Sequence, residues 1–103
     1  MDYGVIWSPE ALNDVDAIAD YIHRDSPVYA RAVTEKIIET SRFLKRFPEA
    51  GRIVPELDDK TIRERFVYSY RLIYRIDNDT VLIAAVIHGK RLLEPHAQRI
   101  SET

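Results

Sequence analysis

Seven basic side chains gather in the second half of the chain: Arg63, Arg65, Arg71, Arg75, His88, Lys90 and Arg91. A guanidinium is a planar fork that binds carboxylates and phosphates through two parallel hydrogen bonds. Arg71 and Arg75 are four apart in a stretch that alternates apolar and polar residues, so they share one face of a strand. Cross-strand pairing that brings Arg63 or Arg65 alongside would make an anion clamp; a solvated face with scattered arginines is the plainer alternative. A histidine side chain is the residue type suited to proton transfer near neutral pH, so His88 is a candidate general acid or base. A polar residue at a strand end is its plainer role, and Lys90 and Arg91, beside Gly89, read equally well as solvated turn charges. His23, His88 and His96 have no metal-ligand spacing, so neither a metal nor a cofactor is expected. Of the six tyrosines, only Tyr68, in a turn, is a candidate for exposed function.

The elements that must position these groups run from Thr61 to Leu93. Tyr70 to Ile76 alternates, with Tyr70, Leu72, Tyr74 and Ile76 on one side and Arg71, Ile73, Arg75 and Asp77 on the other. Asp77-Asn78-Asp79 is a turn, because Asn and Asp tolerate left-handed angles. Val81 to Ile87 has no polar residue and should be a central strand covered on both faces. Ile62 to Val67 is a further strand, ending in a turn at Tyr68-Ser69. Short turns join these three strands, which makes them an antiparallel meander.

Tyr3 to Trp7 reads as a first strand. Ser8-Pro9-Glu10 then starts a helix: Ser8 caps a free N–H, Pro9 suits the first helical position and Glu10 opposes the helix dipole. Leu12, Val15, Ile18, Ala19 and Ile22 form its apolar stripe, with Trp7 and Leu12 at staple spacing. The helix should end between His23 and Asp25. Ser26-Pro27 repeats the device for a second helix with a stripe of Ala30, Val33, Ile37, Leu44 and Phe47, stopped by Pro48. Pro48 to Asp59 is a loop, and Glu94 to Thr103 is a short helix or a frayed tail. The order is β-α-α-β-β-β, and the fold class is α+β: a two-layer sandwich with a helix hairpin on one face of the sheet.

At 103 residues without a flexible linker, residues 1–103 form one domain. The absence of cysteine excludes disulfides and thiolate metal sites and fits a reducing cytoplasm. No signal peptide or membrane span is expected. The net charge of −2 is unevenly spread: residues 1–59 carry 7 Lys/Arg against 12 Asp/Glu, residues 60–103 carry 8 against 5. The sheet half is therefore the basic half, but the chain lacks the strongly basic balance of a general nucleic-acid binder.

YGVIWSPEALNDVDAIADYI (3–22), FPEAGR (47–52) and YRLIYRIDNDTVLIAAVIHGKR (70–91) together resemble the RelE/ParE superfamily of bacterial type II toxin–antitoxin toxins. The resemblance implies one of two activities. ParE-like members poison DNA gyrase. RelE-like members cut mRNA on the ribosome, which needs a base, an acid and cations for the charged intermediate. For a nuclease the resemblance implies Arg71 and Arg91 as phosphate-stabilising groups, with His88 or His96 in proton transfer. The second strand, Ile62-Arg63-Glu64-Arg65, departs from the nuclease's lysine-rich pattern. Pro95-His96-Ala97 stands where the nuclease tyrosine would follow Arg91. The ParE-like, non-enzymatic reading is therefore preferred, as in plasmid-stabilisation modules, with Arg63, Arg65, Arg71, His88, Lys90 and Arg91 as target-binding residues. A homologue that has lost toxicity and only binds antitoxin is the third reading. All three imply a hetero-oligomer with a cognate antitoxin, with Val33, Ile37, Arg71 and Arg75 as antitoxin-binding residues.

Overall fold

The computed structural model describes residues 2–91 and 96–102. The elements are β1 (Gly4–Trp7), α1 (Pro9–His23), α2 (Pro27–Arg46), β2 (Arg52–Ile53), β3 (Ile62–Val67), β4 (Tyr70–Asp77), β5 (Thr80–His88) and α3 (Ala97–Glu102). Both helix starts obey their capping sequences. The Ser8 hydroxyl accepts from Ala11 N at 3.1 Å and the Ser26 hydroxyl from Tyr29 N at 3.1 Å, each followed by proline at the first helical position. The meander forms as expected, and Asn78 takes the left-handed angle (φ 53°) in its turn.

The sheet order is β1-β5-β4-β3-β2, with β1 parallel to β5 and every other pair antiparallel. β2 is a two-residue strand inside the stretch expected to be loop. The helix hairpin covers one face, where Ala30, Val33, Ile37 and Leu44 pack with Leu72, Tyr74, Val81 and Ile83. The other face is also buried. Val54 and Leu57 of the loop before β3 join Ile62, Ile73, Ala85, Ile87 and Ile100 of α3 in a second, smaller core. The apolar run Val81 to Ile87 of β5 requires this cover, because an exposed row of Ile and Val would cost about 1.5–3 kcal/mol per side chain. Glu94 and Pro95, at the start of the expected tail, lie outside the described residues; α3 follows them.

Two stripe assignments differ from the expectation. Leu12 is 51% exposed and Ala11 takes the buried place in the first turn of α1, while Val15, Ile18 and Ile22 pack as expected. Phe47 is 51% exposed because α2 ends at Arg46 and Phe47 is its cap residue.

The sheet register depends on a bulge. β4 and β5 pair as Tyr74↔Ile83 and then Ile73↔Ala85, leaving Ala84 as an extra residue. Before the bulge Val81 and Ile83 face the helices; after it Val86 does, and Ile87 faces the second core. A bulge re-aims the strand beyond it. Here it turns His88 toward α1, edge-on to the Tyr70 ring at 5.5 Å.

Candidate functional site

The register separates the arginines expected to form one clamp. Arg63 lies opposite Tyr74 and Arg65 opposite Leu72, on the helix side, whereas Phe66 lies opposite Arg71. Directly opposed residues share a face, so Arg63 and Arg65 cannot stand beside Arg71. They serve the FPEAGR loop instead. Arg63 Nη1 donates to Gly51 O at 2.9 Å and Arg65 Nη1 to Ala50 O at 3.1 Å. The buried Tyr74 hydroxyl completes the fastening, donating to Pro48 O at 2.6 Å and accepting from Gly51 N at 2.9 Å. Gly51 is required by space: a Cβ would lie 2.6 Å from Glu64 O and 2.7 Å from the Tyr74 hydroxyl.

Arg71 is 4% exposed and neutralised inside the protein. Its Nε donates to Glu64 Oε1 at 2.6 Å, and Nη1 and Nη2 donate to the two oxygens of Glu56 at 2.9 and 3.0 Å. Arg52 Nε donates to the other Glu64 oxygen at 2.5 Å. Burial opposes the Arg71 charge, but the hydrogen bonds to Glu56 and Glu64 outweigh it and hold its pKa above the ordinary value. The Arg71 bond holds the Glu56 carboxyl below its ordinary value. Glu64, part of the strand that departs from the lysine-rich pattern the nuclease resemblance implies, is thus the buried counter-ion of Arg71. Arg75 Nη1 donates to Ser101 O at 2.9 Å and ties β4 to α3. Val33 and Ile37 are fully buried and hold α2 to the sheet, so their side chains offer no surface to a partner in this state.

The end of β5 is different. Lys90 and Arg91 are exposed, and among the described residues neither side chain meets a carboxylate. His88 Nδ1 accepts from Lys90 N at 3.2 Å, which leaves Nε2 as the ring's remaining polar atom. Two clefts flank this turn. One, of about 380 Å³, is lined by Ile18, Tyr21, Tyr70, Val86, His88 and Arg91, among others. The other, of about 370 Å³, is lined by Phe66, Tyr68, Ser69, His88, Gly89 and Lys90. Asp14 also borders the first cleft, but its carboxylate accepts from Val86 N at 3.0 Å and from Arg99 Nη2 at 3.0 Å. His96, the other histidine assigned to proton transfer, is partly buried; burial, then Arg99 and Arg91, lowers its pKa. Among the described residues, no three His, Cys, Asp or Glu stand close enough to hold a metal, and no helix is long and apolar enough to cross a membrane.

Sequence reasoning missed the Glu56 ion pair with Arg71 and the exposure of Tyr21. Glu56 sits in a proline-flanked loop with no periodicity, and Tyr21 on a helix reads as one more core aromatic.

A five-stranded α+β sheet with a capped helix hairpin and a basic β5 end defines the fold class, and the comparisons supply the family. The sequence model of the ParE toxin of the type II toxin–antitoxin system parDE matches residues 5–93, and the chain belongs to that family, within the RelE/ParE superfamily. Toxin RelE2 of Caulobacter vibrioides is 33% identical over 89 residues, covering 85% of this chain and 97% of that protein. The chromosomal ParDE system from P. aeruginosa shares the fold, with a TM-score of 0.69, 20% identity, 84% of this chain and 95% of that one. The RelBE2 toxin–antitoxin complex from Mycobacterium tuberculosis aligns at a TM-score of 0.58 and 27% identity, over 85% of this chain and 99% of that one.

Proposed function

We propose that this type II toxin acts as a ParE-like inhibitor of DNA gyrase in the cytoplasm and is neutralised by a cognate antitoxin in a hetero-oligomer. The observation that carries the choice is the state of Arg71. RNA cleavage needs cations free to take up charge as it develops on phosphorus. Arg71, which resembles a nuclease arginine, already spends its donors on Glu56 and Glu64. Binding a phosphate there would leave two carboxylates facing an anion. Arg63 and Arg65 are committed to loop carbonyls, so Arg91 alone remains of the phosphate-stabilising pair. A chain of net charge −2 is also a weak competitor for ribosomal RNA, where phosphate contacts dominate affinity.

The antitoxin reading rests on the family and on the relative solved as a toxin–antitoxin complex. A helical antitoxin segment suits the α1–α2 groove of about 400 Å³, lined by Ala19, His23, Pro27, Ala30, Arg31 and Thr34. An extended one suits the β3 edge beyond Glu64, where β2 ends, between Phe43 and Phe66.

One observation favours the nuclease: His88 and Arg91 line the same cleft. Two assays on antitoxin-free protein separate the readings. Gyrase supercoiling inhibition with accumulated cleaved DNA and intact mRNA is expected. Codon-periodic cuts in mRNA on translating ribosomes, with normal gyrase, would overturn the proposal.

A further inference from the structure

Three features meet at the end of β5. The first is charge: Lys90 and Arg91 are exposed and reach no carboxylate among the described residues, whereas Arg63, Arg65, Arg71, Arg75 and Arg99 are hydrogen-bonded within the protein. The second is aromatic exposure: Tyr21 is 66% exposed, Tyr68 54% and Phe66 53%. The third is backbone strain. Tyr68 sits at φ 52° in the turn between β3 and β4, a conformation that favours Gly or Asn and is costly for a bulky aromatic. Such strain persists where the side chain is needed. Tyr68 contacts Tyr29 edge-on at 5.9 Å and lines one of the two clefts.

We propose that this end is the docking surface for an acidic segment of the target protein that carries one bulky apolar anchor residue. The inference builds on the protein-binding reading above. The anchor fills the cleft between α1 and β5, with Ile18, Val86 and Tyr70 around it. Carboxylates flanking the anchor meet Arg91 and Lys90, and Tyr21 and Tyr68 close over the segment. Tyrosine and arginine at a cleft rim are the residue types that concentrate binding energy at protein interfaces. Asp14 does not repel the segment, because Val86 N and Arg99 already satisfy it. A nucleic acid is disfavoured. It needs a run of phosphate contacts, and among the described residues this end offers two exposed cations, Lys90 and Arg91.

The test is an NMR titration of the full chain with a blocked pentapeptide, acetyl-Asp-Glu-Phe-Glu-Asp-amide, and with a control in which Lys replaces every acid. Saturable shifts centred on Tyr21, Tyr68, Tyr70 and residues 88–91 are expected with the acidic peptide only. Arg91→Glu should weaken binding by about tenfold or more, since it sets like charges together. Tyr68→Asn should weaken it by about threefold or more, the loss of an aromatic contact, while its urea midpoint stays at or above the parent's. That last result separates a binding role from a structural one. No saturable shifts, shifts centred elsewhere, equal binding of the basic peptide, or tighter binding of a short oligothymidylate at the same end would each overturn the proposal. In the gyrase assay, Lys90→Glu/Arg91→Glu should lose inhibition; an inhibitory double variant overturns the surface. A wild-type protein inert toward gyrase sinks the target reading alone, with the peptide result still deciding the surface.

Discussion

Replacing Arg71 with alanine tests whether that side chain is a buried structural ion or a functional cation. Glu64 is 1% exposed, and Arg71 supplies one of its two ion-pair partners; the other, Arg52, has a side chain that is mostly solvent-exposed. Removing one partner of a buried ion pair costs about 3–5 kcal/mol, because the remaining charge stays desolvated. A domain of this size has a total stability of about 5–15 kcal/mol. Arg71→Ala should therefore stand near the edge of unfolding. With a urea m-value of about 1–3 kcal/mol/M, its midpoint should fall by at least about 1 M. Arg71→Met/Glu64→Leu removes both charges and refills the volume, and its unfolding free energy should recover to within about 1–2 kcal/mol of the parent's. Glu56, whose side chain is 47% exposed, can turn to water in that variant. An Arg71→Ala unfolding free energy within about 1 kcal/mol of the parent's would refute the reasoning, since a cost that small belongs to a solvated pair. The pair of variants also bears on function. Loss of toxicity in Arg71→Ala alone reports unfolding. A folded Arg71→Met/Glu64→Leu variant that still inhibits gyrase shows that no catalytic arginine resides there.

Stability should fall in two stages as pH drops. His96 has a lowered pKa, so the unfolded chain takes its proton first and stability begins to fall below its ordinary value of 6.5. Glu56 and Asp59 are lowered carboxyls, whose contribution is full above ordinary values of 4.5 and 3.8 and is lost as pH falls through the folded values. Urea midpoints measured against pH should show the first stage vanish in His96→Gln. Tyr74→Phe should cost about 1–3 kcal/mol in chemical denaturation, because it strands the buried Gly51 N–H and a Pro48 carbonyl; it should also speed amide exchange at Gly51. Ser8→Ala should cost about 1–2 kcal/mol and Ser26→Ala about 0.5–1 in the same experiment. Both cap a helix, but the Ser8 hydroxyl is also buried and donates to Ala84 O at 3.3 Å.

Local chemistry made much of the fold legible before any coordinates. Ser8-Pro9 and Ser26-Pro27 start helices through contacts within three residues, Pro48 stops one, and Asp77-Asn78-Asp79 turns the chain within itself. The two-residue periodicity of Tyr70 to Ile76 sorts its side chains onto two faces, because a strand has only two. The motifs at 3–22, 47–52 and 70–91 carried the family.

Tertiary structure decided what these residues do. Whether Arg71 is a free cation depends on Glu64, seven residues away, and on Glu56, fifteen away in a loop with no periodic signal. Whether Arg63 and Arg65 join it depends on a cross-strand register, and a shift of one residue exchanges the faces. The bulge at Ala84 carries no mark in a uniformly apolar strand, since Ile, Ala and Val suit either face, yet it alone turns His88 toward α1. The sequence by itself determined β1, the two long helices with their caps, and the three-stranded meander, since those are set by neighbours in the chain, whereas β2 and α3 form only against the folded sheet. Which charges are neutralised and which remain at the end of β5 was decided only by tertiary structure, because charge pairing is settled between residues that the fold, and not the chain, makes adjacent.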